Sequence, residues 1–196
     1  MIGLYTKSLE NVWFGVACDE KEIFATSFAP SKERVLQDLL GNIPFNVSFQ
    51  KLETPSAFAE HAIAVLKNVY DGRCVSENIA LGTGHLSDYF RKVIEVARLI
   101  PVGYVSSYGA VANVAGGSPR AVGHVMALNP FAPIVPCHRV VSADLTLGGY
   151  AGGLDAKLAF LNREKRGCDT EQEINVNGKR LAVFPVEFVL RRAEKE

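Results

Sequence analysis

Between Ser87 and Pro130 the chain is interrupted so often that no helix there can run beyond about three turns. Ser87 is placed to cap a helix with apolar positions Phe90, Val93, Ile94 and Ala97. Pro101 ends it, because proline lacks the N–H that a further turn needs. A glycine turn follows at Gly103. Ser107 opens a second short helix, Tyr108 to Ala115, and Gly116-Gly117 breaks it. Ser118-Pro119 opens a third, running to about Leu128 and stopped by Asn129-Pro130. Two short helices around a tight glycine turn, the second opening with Arg120, have the layout of a helix-turn-helix. Such pairs also occur in proteins that never touch DNA. The second helix presents mainly small residues, Ala121, Gly123 and Ala127, and few long side chains suited to reading base edges. That composition suits close approach to a backbone or a narrow groove.

Upstream, the chain reads as mixed α/β. Val12 to Cys18 and Glu22 to Phe28 are apolar runs around Asp19-Glu20-Lys21, a hairpin signature. Ser31 is expected to cap a helix carrying Val35, Leu36, Leu39 and Leu40, ended by Gly41. A second helix is expected from Thr54-Pro55, with Phe58, Ala62, Val65 and Val69 on one stripe up to Asp71-Gly72. Glu77 to Leu86 reads as a linker. Downstream, Asp155 is placed to cap a final helix with Leu158 and Leu161 inward, reaching Glu164 before Gly167. Ile174–Val176 and Lys179–Val183 form a hairpin around Asn177-Gly178, and Arg191 to Glu196 reads as a solvated charged end.

At 196 residues the chain can hold one large domain or two small ones. Lys+Arg and Asp+Glu both total 21, so bulk charge says nothing in favour of nucleic acid. Local charge does. From Phe90 to Val141 the bases are Arg91, Lys92, Arg98, Arg120 and Arg139 against Glu95 alone, which gives 5 − 1 = +4. A basic face of that size suits contact with a few phosphates. No apolar run reaches the roughly 18 residues that span a bilayer, and Met1-Ile2-Gly3-Leu4-Tyr5 lacks the layout of a leader peptide. The expectation is an intracellular protein, cytoplasmic or, in a eukaryote, nuclear, with no membrane partner. Cys18, Cys74, Cys137 and Cys168 are scattered without metal-type spacing and are expected as free thiols. A zinc site from Cys18, Cys74, His61 and His85 has no local support, so no metal and no cofactor is expected.

Chemistry concentrates in Pro136-Cys137-His138-Arg139-Val140, set between Ile134-Val135 and Val141. A thiol is a strong nucleophile only as thiolate, and an adjacent base or cation promotes that form. Gly148-Gly149-Tyr150-Ala151-Gly152-Gly153 follows, four glycines in six residues, which lets main-chain groups come close to a ligand. It has no phosphate-loop ending. A lone cysteine between apolar runs is more often a structural core residue. The ordered neighbours are what favour chemistry here.

Ile100-Pro101-x-Gly103, Ser107-Tyr108, Pro119-Arg120-Ala121-Val122-Gly123, Asn129-Pro130, Ile134-x-Pro136-Cys137-His138-Arg139-Val140-Val141 and Gly149-Tyr150-Ala151-Gly152-Gly153 occur in that order. Together they resemble the catalytic domain of the O6-alkylguanine-DNA alkyltransferases, over roughly Ser87 to Gly167. The resemblance implies an α/β fold in three parts. A ribonuclease-H-like domain would span residues 1–85, and a mostly helical, winged-helix-like catalytic domain residues 86–167. A hairpin and tail at 168–196 would pack on or extend the latter. It implies one-step, irreversible transfer of an alkyl group from guanine O6 to Cys137. His138 would act as base through a water, Glu164 would orient the imidazole, and Asn129 would buttress the turn. Tyr108, Tyr150, the main chain near Ala151 and the carbonyls of Cys137 and Val140 would meet the base. Arg120 would fill the stack vacated by a flipped nucleotide, and Ser107, Ala121, Gly123 and Ala127 would approach the minor groove of double-stranded DNA carrying O6-alkylguanine. A monomer is implied. Many members carry serine where Ala151 stands, which keeps the main-chain N–H and loses a hydroxyl.

Three other readings compete. A lesion binder without transfer would lack the cysteine, which is present. A cysteine hydrolase would bring thiol and base from separate segments, whereas here they are adjacent. A helix-turn-helix regulator would leave the Pro-Cys-His-Arg run and the glycine loop without a role.

Overall fold

The computed structural model describes residues 1–44, 47–51, 53–75 and 78–194, and it divides into two compact units. One comprises Met1–Tyr70, Cys74–His85 and Pro130–Ile134; the other comprises Asp71–Arg73, Leu86–Asn129 and Val135–Glu196.

The first unit is built on β1 (Ile2–Leu9), β2 (Val12–Cys18), β3 (Ile23–Ala29) and β4 (Phe49–Lys51), in the order β3-β2-β1-β4. β1 and β2 are antiparallel, joined through Glu10 and Asn11, both at positive φ as a tight hairpin turn demands. β2 and β3 are antiparallel, and β1 and β4 run parallel. The sequence reading found the β2–β3 hairpin and passed over β1, whose Ile2 and Leu4 are both buried. α1 (Lys32–Asn42) is capped by Ser31, whose Oγ accepts from Arg34 N, and buries Val35 and Leu39 against the sheet; Leu40 is exposed. α2 (Ala57–Tyr70) begins two residues later than Pro55 suggested, because Ser56 supplies the cap by accepting from Ala59 N. Pro130–Ile134 joins this unit through Thr26, whose N and Oγ1 donate to the carbonyls of Pro130 and Ala132. Of the expected linker from Glu77 to Leu86, Glu77 lies outside the described residues; Leu81 bridges to Ile23.

The second unit holds α3 (Asp88–Arg98), β5 (Tyr104–Ser107), α4 (Tyr108–Ala115), α5 (Pro119–Ala127), a 3-10 turn (Cys137–Arg139), β6 (Val140–Val141), α6 (Leu154–Arg163), β7 (Gln172–Val176), β8 (Lys179–Pro185) and α7 (Val186–Ala193). Ser87, Ser107 and Ser118 each cap the helix that follows, accepting from the N–H three residues on. Gly116 and Gly117 turn the chain at φ 90° and 84°, conformations that side chains resist. The sheet order is β6-β5-β8-β7, with β5 parallel to β6 and antiparallel to β8. β7 and β8 meet at Asn177-Gly178, φ 51° and 81°. The region after Gly167 is therefore structural. Its strand β8 pairs with β5, and of the segment read as a charged end, Arg191 to Ala193 form the last turn of α7, whose earlier residues Val186, Val189 and Leu190 are buried; residues 195–196 lie outside the description. Nor does Asp155 cap α6: Gly153 holds the cap position, at φ 87°, without a side-chain bond. The chain is thus mixed α/β, with two small sheets and seven α-helices among the described residues.

Leu161 is fully buried in the cluster formed by Val105, Val141, Val186, Val189 and Leu190, whereas Leu154 on the same helix is 51% exposed. Leu161→Ala should lower unfolding free energy by about 2–5 kcal/mol, and Leu154→Ala by about 0.5 kcal/mol or less, in urea titrations.

Candidate active site

Pro136 leads the chain into one 3-10 turn, Cys137–Arg139, that sends adjacent side chains to different partners. His138 and Arg139 converge on Glu164, the residue that closes α6. His138 Nε2 lies 2.9 Å from Glu164 Oε1. Arg139 grips the same carboxylate with Nε at 2.9 Å from Oε2 and Nη2 at 2.8 Å from Oε1, and its Nη1 donates to the carbonyl of Ile100 at 2.7 Å. His138 and Glu164 are fully buried and Arg139 is 7% exposed. Arg139 therefore belongs to the interior, not to the basic face on which its charge was counted.

Burial alone would raise the Glu164 carboxyl; the hydrogen bonds and charges of His138 and Arg139 overcome this and hold it at about 2. Burial pushes His138 below the usual imidazole range, against the pull of Glu164. The ring is therefore neutral near pH 7. An ionised carboxylate can only accept, so Nε2 carries the proton and donates it, and Nδ1 keeps the lone pair. Nδ1 is buried and meets no hydrogen-bonding group among the described residues. Phe160 stacks on the ring, centroids 4.7 Å apart, and fixes its plane.

Cys137, 6% exposed, opens onto a cleft of about 540 Å³ lined also by Tyr108, Arg120, Gly123, Ala127, Tyr150 and Ala151. Burial pushes its thiol up, while the Asn129 amide, the Lys157 charge and the Tyr150 hydroxyl pull it down. Burial pushes both tyrosine hydroxyls up as well, so they stay protonated donors at neutral pH. Tyr108 donates to the Gly149 carbonyl at 3.1 Å. Asn129 Nδ2 donates to the Val135 carbonyl at 2.9 Å, which ties α5's exit to the residue before Pro136.

Lys157 was missed. It is fully buried on α6, and its ammonium donates to the carbonyls of Val140 at 2.7 Å, Leu147 at 2.5 Å and Gly149 at 3.2 Å. It also sits over the rings of Tyr108 and Tyr150. Burial lowers its pKa to about 8, with Cys137 opposing. A lysine on an amphipathic helix reads as solvent-facing, and no local pattern distinguishes this one; only the glycine loop folding over it buries it. Met126, which also lines the cleft, was not singled out either, and Pro119 was read only as opening a helix and as part of a motif.

The remaining expected residues fall as follows. Arg120 is exposed on α5, and Gly123 and Ala127 share its cleft. Ala121 is half-buried, its N–H bonded to Ser118. Ser107 spends its hydroxyl capping α4 and does not line the cleft. Val140 is buried beyond the lining, and its carbonyl already accepts from Lys157. His138, Glu164 and Asn129 adjoin the Cys137 turn without lining the cleft. All four cysteines are free thiols. Among the described residues no group of three or more His, Cys, Asp or Glu side chains could hold a metal, and no helix is long and apolar enough to cross a membrane.

A protonated thiol facing a cleft, followed in sequence by an imidazole that a buried carboxylate orients, places together the groups that cysteine-based chemistry uses. The family model for the 6-O-methylguanine DNA methyltransferase DNA-binding domain matches residues 88–166. A methylated-DNA–protein-cysteine methyltransferase from Mycolicibacterium paratuberculosis is 40% identical over 116 residues, covering 58% of this chain and 69% of that protein. One from Pyrobaculum aerophilum is 52% identical over 69 residues, 35% of this chain and 47% of that protein, so the chain spans about half the length of that relative. The crystal structure of O6-methylguanine-DNA methyltransferase from Pyrococcus kodakaraensis matches at TM-score 0.63 and 28% identity, over 84% of this chain and 99% of the other. That of Mycobacterium tuberculosis OGT in complex with DNA matches at TM-score 0.65 and 28% identity, over 83% and 92%. The chain belongs to the methylated-DNA–protein-cysteine methyltransferase family.

A carboxyl held at about 2 rather than 4.5 contributes stability that is complete above pH 4.5 and lost as pH falls towards 2, on the order of a few kcal/mol. Glu164→Gln should therefore be markedly less stable than the parent at pH 7. The gap should narrow steadily below about pH 4.5 in urea unfolding measured across that range.

Proposed function

We propose that this protein repairs DNA by a single, irreversible transfer of an alkyl group from O6-alkylguanine to Cys137. One observation carries the reading: Cys137 opens onto the same cleft as Tyr108, Arg120 and Tyr150, while the next residue's imidazole is held by Glu164 with its lone pair on Nδ1. His138 Nδ1 takes the thiol proton through a bridging water. The sulfur attacks the alkyl carbon, the carbon–O6 bond breaks, and its electron pair passes to the purine oxygen. Tyr108 O–H, turned from the Gly149 carbonyl, and the main-chain N–H near Ala151 donate to the base as that charge develops. The purine then takes a proton from solvent to reach its keto form, which balances the thiol proton that His138 holds and returns to solvent. The product is a thioether, which water does not reverse, so each molecule acts once.

Cys137 is an unreactive thiol at rest, because burial opposes its ionisation. Asn129 steadies the turn. Val140 retains a second lone pair for the guanine amino group beside its bond to Lys157. The target atom is out of reach inside a duplex, so the nucleotide is flipped out. Exposed Arg120 fills the gap, and Ala121, Gly123 and Ala127 let α5 enter the minor groove closely. Ser107 caps α4 with a lone pair and turns its O–H to a phosphate at the same groove. The α3–α4–α5 order with the β5-β8-β7 sheet supports a winged-helix reading of the second unit. The β3-β2-β1-β4 order supports a ribonuclease-H-like one of the first. The protein works as a monomer on duplex DNA in the cytoplasm or nucleus.

With DNA carrying labelled O6-methylguanine, label should move to the protein one-to-one and remain on Cys137. Label still accepted by Cys137→Ala would end the proposal. Arg120→Ala should slow repair of duplex DNA far more than reaction with free O6-benzylguanine, because only the duplex requires extrusion; equal losses would refute that role. His138→Ala should be about 10²–10⁴-fold slower near pH 7, with a rate still climbing into the alkaline range where bulk hydroxide replaces the base.

A further inference from the structure

The β7–β8 hairpin lies outside the stretch that the family model matches, which ends at residue 166, and nothing in the chemistry above uses it. Its tip is nonetheless fixed beside the helix-turn-helix. Lys179 Nζ donates to the carbonyls of Asn113 at 3.0 Å and Val114 at 3.2 Å, in the last turn of α4. Those carbonyls have no partner within their own helix, and a cation there also complements the negative end of the helix dipole. The next residues along α4's path are Gly116 and Gly117, and then α5 opens with Pro119 and Arg120. The tip closes on itself in a tight turn. Asn177 and Gly178 both take positive φ, and Gly178 N donates to Asn175 Oδ1 at 3.0 Å.

Asn175 pairs across the hairpin with Arg180, and both are exposed. Successive residues of a strand point to opposite faces, so Lys179 turns in towards α4 and Arg180 turns outward. Arg180 meets Glu173 at 3.4 Å, with side-chain exposures of 76% and 58%. An ion pair that open to water contributes little and yields readily to a stronger anion. The result is a pre-ordered loop with an outward guanidinium and two amide side chains, held at the exit of the helix that precedes α5.

We infer that the Asn175–Arg180 tip is a second DNA contact, with Arg180 donating to a backbone phosphate flanking the groove that α5 enters. This deepens the proposed function and rests on it. The contact carries no base information, because phosphate is common to all sequences. It sets orientation: two separated anchors, α5 and the hairpin, fix how the cleft is presented to the strand, where one helix alone could rock about its axis.

The test measures binding of duplex DNA containing O6-methylguanine by fluorescence anisotropy over a range of monovalent salt, alongside reaction with free O6-benzylguanine. Arg180→Ala should weaken binding about fivefold near 0.15 M salt and reduce the slope of log K against log salt by about 0.9, the value of one lost phosphate contact. Arg180→Glu should weaken it further. Both should react with O6-benzylguanine at the parental rate. Arg192→Ala, which removes an exposed base on α7, should bind as the parent does. Unchanged affinity and slope in both Arg180 variants would overturn the inference, as would an equal loss in Arg192→Ala. If the parent protein neither binds nor dealkylates the duplex, the functional reading itself fails, which the variants alone would not show.

Discussion

The carboxylate of Glu164 is the point from which the second unit's chemistry is arranged. It is fully buried, and it is ionised because Arg139 and His138 both bond to it. A carboxylate taken from water without such partners would protonate instead. Each consequence follows from its charge. Only an ionised acceptor forces the proton of His138 onto Nε2. Only that tautomer leaves Nδ1 as the free base, and only a closely held Arg139 lets α6 end against the Cys137 turn. Removing Glu164 or Arg139 leaves the other's charge buried without its ionic partner, a loss of about 3–5 kcal/mol.

The cleft depends on a second buried group with a different task. Lys157 gathers three carbonyls, Val140 from β6, Leu147 from the chain entering the glycine-rich segment and Gly149 from the segment itself. Gly148, at φ 65°, lets that segment bend, but bending alone does not place it. The lysine does, and so it sets where Gly149, Tyr150 and Ala151 stand around the cysteine. Neighbouring serine caps perform the equivalent task for α3, α4 and α5, at lower energy and on the surface.

What could be read in advance divides along the same line. Ser87, Ser107 and Ser118, Gly116-Gly117 and the Asn177-Gly178 turn act over a few residues, and the elements they bound lie where their chemistry puts them. Cys137 and His138 were found because a thiol and an imidazole side by side are unusual, and Glu164 was reached only through a family likeness, since spacing of 26 residues has no local meaning. Arg139 was counted on the basic face, and Lys157 was passed over. Their burial is decided by residues distant in sequence, Glu164 for one and the loop carbonyls for the other. Strand β1 was overlooked because its outer half carries Lys7 and Ser8, which weaken the apolar run; its partners β2 and β4 are what make it a strand. Helix α7 was obscured by the charges at its end, although Val186, Val189 and Leu190 have helical spacing.

Counting formal charges around the Cys137 turn gives Arg139 and Lys157 positive and Glu164 negative, with His138 neutral. One positive charge is left over while the sulfur holds its proton, and passing that proton to His138 leaves the total unchanged while putting a negative charge on the sulfur. What the interior offers a thiolate is nearness to a cation: the Lys157 charge pulls the Cys137 thiol down, and that pull has no object on an uncharged sulfur. With the sulfur neutral, the Lys157 ammonium rests on carbonyls and ring faces alone.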